Sequence, residues 1–289
     1  MRSEREMHDL ILGIARADDR IRVVLQTGSR VNPNAPSDPF RDFDIIYLVT
    51  DLAPFVRNSQ WIRAFGEIMI LQTPDDMVDP PPEQTAGYAY LIQFMDGNRI
   101  DLGIFPLSHL SEVRKDSLTV LLLDKDGTVD PFPPPDERSY LPTRPSLRQF
   151  ADCCNEFWWV CPYIAKGLWR GQWIYAKHML DVVLRRQLIE MLTWYVGVGT
   201  HFTRNVGLFG KNLDRYLEPE LARLLGETYT DAAPENMWSA LLAMGRLFRQ
   251  TALVIGQRFD YAYPLEEDRR VTAHLEHVRR LPHDAETIY

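Results

Sequence analysis

The stretch VDPFPPPDERSYLPTRPS, from Val129 to Ser146, holds five prolines between Asp130 and Pro142 and another at Pro145. Proline fixes φ and lacks a backbone N–H, so neither a helix interior nor a central strand runs through such a segment. The chain must therefore organise itself on either side, and the two sides read differently. We expect an N-terminal domain over residues 1–133, a proline-rich, solvated linker at 134–145 and a helical domain over 146–289, giving an α+β chain as a whole.

Ahead of the prolines, helix and strand periods alternate. Met7, Leu10, Ile11 and Ile14 mark a helix over residues 5–17, and IRVVLQTG (Ile21–Gly28) a β-branched strand ending at glycine. DFDIIYLVT reads as a second strand, PFVRNSQWIRAFG as a helix and EIMILQTP as a third strand. AYLIQFMDGNRIDLGIFP reads as a hairpin turning at Asp96, Gly97 and Asn98. A short helix, SHLSEVRKD, and a last strand, TVLLLDKDG, complete a mixed sheet with flanking helices. Beyond the prolines, Phe150, Cys153, Cys154, Phe157, Trp158, Cys161 and Ile164 recur at three- and four-residue intervals, the pattern of a helical bundle.

The 45% hydrophobic content is that of a folded protein, and the net charge of -8 argues against a surface that tracks nucleic-acid phosphates. No stretch approaches the ~20 apolar residues of a membrane span, and the N-terminus lacks an export signal's apolar core. Cys153, Cys154 and Cys161 form neither a disulfide framework nor zinc knuckles. A cytoplasmic protein with no nucleic-acid or membrane partner is expected.

Chemistry concentrates at the second strand, which opens with two acids, Asp42 and Asp44. Alternation places them on one face, and Asp101 is a lone acid in a later apolar strand that a neighbouring position in the sheet would bring to the same edge. Converging carboxylates repel unless neutralised, and such hard oxygens suit Mg²⁺, with substrate phosphates completing its shell. Upstream, Gly28 and Ser29 let backbone N–H groups and a hydroxyl approach a phosphate closely. The bland alternative for Asp101 is a turn or a salt bridge with the Asn98-Arg99 segment. Asp75 and Asp76 read first as a loop or helix cap, and at least half of the seven tryptophans as packing. His109, His178 and His201 sit singly, and no basic group marks a cysteine nucleophile.

A Gly-Ser pair, a short loop, Asp-x-Asp in a strand and a third strand acid together resemble the nucleotidyltransferase superfamily. The chain is more closely similar to the aminoglycoside 6-adenylyltransferases that inactivate streptomycin, through GSRVNPNAPSDPFRDFDIIYLV, MILQTPDD, YLIQFMDGNRIDLGIFP, CCNEFWWVCPYIAKGLWRGQWIYAKHMLD and GKNLDRYL. The resemblance implies an N-terminal nucleotidyltransferase domain, a C-terminal helical bundle and a cleft between them for MgATP and drug. It implies transfer of AMP from ATP to the 6-hydroxyl of streptomycin in a monomer, with a dimer as the alternative. Gly28 and Ser29 would then hold the triphosphate with Arg30 beside it, and Asp42 and Asp44 would hold Mg²⁺. Asp101 would serve as metal ligand, as base, or as both. Lys166, Lys177 and Lys211 become the nucleotide contacts, and Glu156, Trp159, Trp169 and Asp181 the contacts of a guanidinium-bearing acceptor. Asn212 and Asp214 depart from the family's character, as do the glycine and tryptophan residues of AKGLWRGQWIYAKHMLD; these bear on the acceptor. A different hydroxyl acceptor, or nucleotide binding without catalysis, are the other readings.

Overall fold

Ser3 starts the first helix, α1 (Glu4–Ala17), through a reciprocal cap in which its hydroxyl accepts from the Glu6 N–H and the Glu6 carboxylate accepts from the Ser3 N–H at 2.7 Å. Met7, Ile11 and Ala15, one turn apart, form the buried stripe of this helix. A computed structural model describes residues 1–81 and 86–289, which divide into two compact units, Met1–Ser139 and Tyr140–Tyr289.

In the first unit the elements after α1 are β1 (Ile21–Thr27), β2 (Phe43–Val49), α2 (Ala53–Arg57), β3 (Ile68–Gln72), β4 (Tyr88–Phe94), β5 (Arg99–Pro106), α3 (Leu110–Val113) and β6 (Thr119–Asp124). The six strands form one sheet in the order β3-β4-β5-β2-β1-β6. β2 and β5 run parallel, and the other neighbours antiparallel. Alternation sorts the side chains: Phe43, Ile45 and Tyr47 of β2 and Ile100, Leu102 and Ile104 of β5 share a core with the buried stripe of α1. The Tyr47 hydroxyl donates to the Ile11 carbonyl at 2.6 Å, tying strand to helix. Asp44 and Asp101, at the intervening positions, lie on the other face of the sheet.

One segment differs from the expectation. PFVRNSQWIRAFG forms two short pieces, α2 and a 3₁₀ segment over Ser59–Phe65, because Asn58 is extended (φ -135°, ψ 98°) and its side chain accepts from the Gln60 N–H, capping the second piece. The proline-rich segment is anchored at both ends. Glu137 accepts from the side-chain amides of Asn32 and Asn34, each at 2.8 Å, and the Ser117 hydroxyl donates to the Asp136 carbonyl at 2.6 Å. At the other end the Pro145 carbonyl accepts from the Tyr261 hydroxyl at 3.0 Å.

The second unit comprises α4 (Leu147–Trp169), α5 (Trp173–His178), α6 (Arg185–Gly199), α7 (Pro219–Glu227), α8 (Pro234–Phe259) and α9 (Leu265–Arg280), with a π-helical segment, Met179–Leu184, between α5 and α6. A capping box of Ser146 and Gln149 opens α4, whose buried face, from Phe150 to Leu168, joins α6 and α8 in one core. Trp158, Trp194 and Trp238 are buried there, and the three cysteines are buried with them. Burial pushes the Cys154 thiol up to about 12, so it is no nucleophile at neutral pH. No helix among the described residues is long and apolar enough to cross a membrane.

Candidate active site

The parallel register of β2 and β5 sets Asp44 directly opposite Asp101. On the other side of β2, Thr27 at the end of β1 pairs with Asp44, so the turn that follows β1 meets the same carboxylate. That turn is Gly28-Ser29-Arg30, and Gly28 has φ +74°. A Cβ at Gly28 would collide with the Asp44 carboxylate, so both the backbone angle and the close approach call for glycine. Asp42 precedes β2 but stays in the group: Arg99 Nε lies 3.6 Å from its Oδ2 and 2.7 Å from Asp101 Oδ1. Arg99 Nη2 completes a fork on Asp101 by donating to Oδ2 at 2.7 Å.

Three acids and one arginine leave the cluster short of positive charge. Burial, followed by the charges of Asp101 and Asp42, pushes the Asp44 carboxyl up to about 6, and burial likewise raises Asp42. The donors fit a hard divalent ion, since all are carboxylate oxygens and the most enclosed, Asp44, has no salt-bridge partner among the described residues. As they stand, no three acid, histidine or cysteine side chains among the described residues are arranged to hold a metal.

The other residues singled out in the sequence separate into groups. Arg30 is nearly buried and held on several sides: its guanidinium donates to the carbonyls of Asp42 at 3.1 Å and Arg41 at 2.7 Å, pairs with Glu4 and lies over the Phe43 ring. It fastens the segment leading into β2. Asp75 accepts from the Ala89 N–H at 2.7 Å and Asp76 from the Tyr88 hydroxyl, both serving as local ties. In the helical unit, Glu156 and Trp159 are exposed on α4, with Trp159 Nε1 donating to the Tyr163 hydroxyl at 3.0 Å. Lys166 and Trp169 line one cavity of about 400 Å³ together with Tyr163, Arg170 and His274. Lys177 and Asp181 are joined in an ion pair of 2.6 Å, and Lys177 also donates to the Thr230 carbonyl at 2.7 Å. Lys211 is exposed in the turn after Gly207.

Sequence reasoning weighed Arg99 as a local partner of Asp101 and missed its reach to Asp42. The signal was present, because residues two apart in a strand share a face and Arg99 precedes Asp101 by two. Arg185 gave no comparable signal. It is buried beneath the Tyr229 ring, its Nη2 donates to the Thr228 carbonyl at 2.7 Å, and it reaches Asp181 at 3.5 Å.

A Gly-Ser turn packed on an acidic strand, with a third acid opposite in a parallel neighbour, is the arrangement expected from the resemblance to nucleotidyltransferases. The chain belongs to the streptomycin adenylyltransferase family, whose model matches residues 1–278. It is 37% identical over 278 residues to an aminoglycoside 6-adenylyltransferase of Bacillus subtilis (strain 168), covering 96% of this chain and 98% of the relative. A protein of the same name from Campylobacter jejuni is 39% identical over 271 residues, 93% of each chain. The crystal structure of an aminoglycoside 6-adenyltransferase from Bacillus subtilis is 33% identical, covers 97% of this chain and 100% of that one, and has a TM-score of 0.49.

Proposed function

We propose that the protein transfers AMP from ATP to a hydroxyl of an aminoglycoside, the 6-hydroxyl of streptomycin, releasing pyrophosphate. The observation that carries this reading is the pairing of Asp44 with Asp101 beside Gly28, which sets a group of charge-deficient carboxylates against a turn able to approach a phosphate. Asp42, Asp44 and Asp101 would hold Mg²⁺, which when bound neutralises charge on the phosphates and on the oxygen that leaves. The Gly28-Ser29 turn receives the phosphate chain through backbone N–H groups and the Ser29 hydroxyl. Asp101 takes the proton of the acceptor hydroxyl as that oxygen bonds to the α-phosphorus. The bond to the β-phosphate oxygen breaks, and its electron pair leaves with pyrophosphate. Catalysis then rests on positioning and on fixed charges, with no covalent enzyme intermediate.

In the helical unit, Lys166 and Lys211 serve the nucleotide as point charges. Trp159, Trp169, Glu156 and Asp181 offer the aromatic faces and carboxylates that guanidinium groups prefer. Lys177, already paired with Asp181, sets how that carboxylate is presented.

The test is pyrophosphate release from ATP and Mg²⁺ with streptomycin, spectinomycin, kanamycin or no acceptor, using wild type and Asp42→Asn. Release with streptomycin alone, lost in the variant, is expected. Release that is independent of acceptor, or that survives the substitution undiminished, would overturn the reading.

A further inference from the structure

The position of Arg99 raises a question the reaction itself does not answer: why an enzyme that gathers three acids should place a cation among them. Arg99 and Asp101 occupy alternate positions of β5 and so project from the same face. The guanidinium holds both oxygens of Asp101 at 2.7 Å and reaches Asp42 at 3.6 Å, so it engages two of the three carboxylates proposed to hold the divalent ion. The side chains of Arg99, Asp101 and Asp42 are 40%, 24% and 36% exposed, so the arginine is open to solvent on one side. Among the described residues its guanidinium makes no hydrogen bond to a backbone carbonyl, in contrast to Arg30, whose guanidinium is fixed by two.

We propose that Arg99 is a built-in counter-cation of the carboxylate cluster, which the divalent ion must displace from Asp101 and Asp42 in order to bind. The proposal rests on the reading that these carboxylates hold the ion. A carboxylate forked by a guanidinium has both oxygens engaged and faces a positive charge, so a second cation can coordinate only after the fork opens. Arg99 is thus a positioning residue acting through Asp101 and Asp42. Without the ion it offsets the repulsion between Asp101 and Asp42, and it sets the ion's affinity below what three bare carboxylates would give.

The experiment measures Mn²⁺ binding to the full-length, nucleotide-free protein through the loss of the free-ion electron paramagnetic resonance signal. Wild type, Arg99→Gln, Arg99→Lys and Asp44→Asn are compared, with thermal melts confirming that each variant is folded. Arg99→Gln should bind Mn²⁺ roughly tenfold more tightly than wild type, because a full opposing charge is removed. Arg99→Lys, which keeps the charge but cannot form the fork, should bind more tightly than wild type and less tightly than Arg99→Gln. Asp44→Asn should bind weakly. A merely structural arginine would leave affinity unchanged or lower it on removal. Equal or weaker binding by Arg99→Gln, with Asp44→Asn still impaired, would overturn the counter-cation while leaving the metal site standing. Binding that is absent from wild type and from Arg99→Gln alike, or indifferent to Asp44→Asn, would overturn the metal reading and the proposal with it.

Discussion

Two arginine–carboxylate groups, one in each unit, are built from the same chemistry to opposite ends. In the helical unit Asp268 is fully buried and saturated: it takes a fork from Arg249, the Tyr263 hydroxyl at 2.7 Å and the Thr272 hydroxyl at 3.1 Å. Tyr263 in turn accepts from Trp158 Nε1 at 3.0 Å, so the network closes on the core. At the sheet, a single arginine reaches two of three acids, and Asp44 has no salt-bridge partner among the described residues. A charge that is buried and completely answered locks helices together. A group left short of charge is held at a cost by the surrounding fold, and that deficit is what a cationic ligand can fill.

Asp44→Asn tests the deficit most severely. It removes a carboxylate from the proposed ion site and should lower adenylyl transfer by about 10³-fold, by analogy with the loss of one preorganised electrostatic group in an active site. The same substitution should stabilise the protein when no metal is present. Because the folded carboxyl sits at about 6, above its ordinary value, ionising it penalises the native state increasingly as pH rises through that interval, and the penalty is complete above it. Thermal melts in a chelator should therefore show the variant more stable by about 1–2 kcal/mol at pH 8, after allowance for solvent screening, and no more stable at pH 4. A variant as active as wild type, or less stable at pH 8, would remove the contrast between the two groups.

Asp268→Ala probes the saturated group. It strands Arg249 and the Tyr263 hydroxyl, and urea unfolding should show a loss of about 3–5 kcal/mol, the usual cost of breaking one side of a buried pair. Activity per folded molecule should be unchanged at low temperature. A loss of activity larger than the loss of folded protein would mean that this network also serves the chemistry.

How far the sequence reveals these differences depends on the range of the interaction. The strands of the hairpin, and the alternation that sets Asp44 and Asp101 opposite the core-facing residues, are local patterns and are legible. The direct pairing of Asp44 with Asp101 requires β5 to lie beside β2 and parallel to it, a topological fact that the separate segments suggest without fixing. Arg30 is set beside the phosphates only by the resemblance, and the sequence does not show that its long side chain turns back to the segment before β2 and to Glu4. The helix over PFVRNSQWIRAFG fails at Asn58, where a side-chain cap competes with the helical backbone. Asp268 reads as one of three acids in the first turn of α9, a common place for solvated negative charge, and its partner lies on α8, nineteen residues earlier. Charge near a helix end is legible, but its burial is not.

An intermediate case should give the smallest effect and so calibrate the comparison. Asp96, in the turn between β4 and β5, accepts from Arg2 Nε at 2.7 Å, from the Arg2 N–H at 3.1 Å and from the Asn98 N–H and side-chain amide at 3.0 and 2.9 Å. It is as well answered as Asp268 but remains partly exposed. The Arg2 guanidinium above all, with Asn98, holds its carboxyl well below the usual carboxylate range. A folded-state value below the unfolded one stabilises the native protein above about pH 4, and that contribution fades as pH falls further and the carboxylate is protonated. Asp96→Asn should therefore cost about 1 kcal/mol at pH 7, the scale of a partly exposed ion pair, and the gap from wild type should narrow steadily between about pH 4 and pH 2. Urea midpoints of the two proteins across that range provide the measurement. A gap that is as wide at pH 2 as at pH 7 would mean that the hydrogen-bonding shape of the turn, which asparagine alters at every pH, matters more than the charge. Saturation would then stabilise Asp268 and Asp96 through geometry, and the charge deficit at Asp44 would stand alone as the electrostatic feature of the fold.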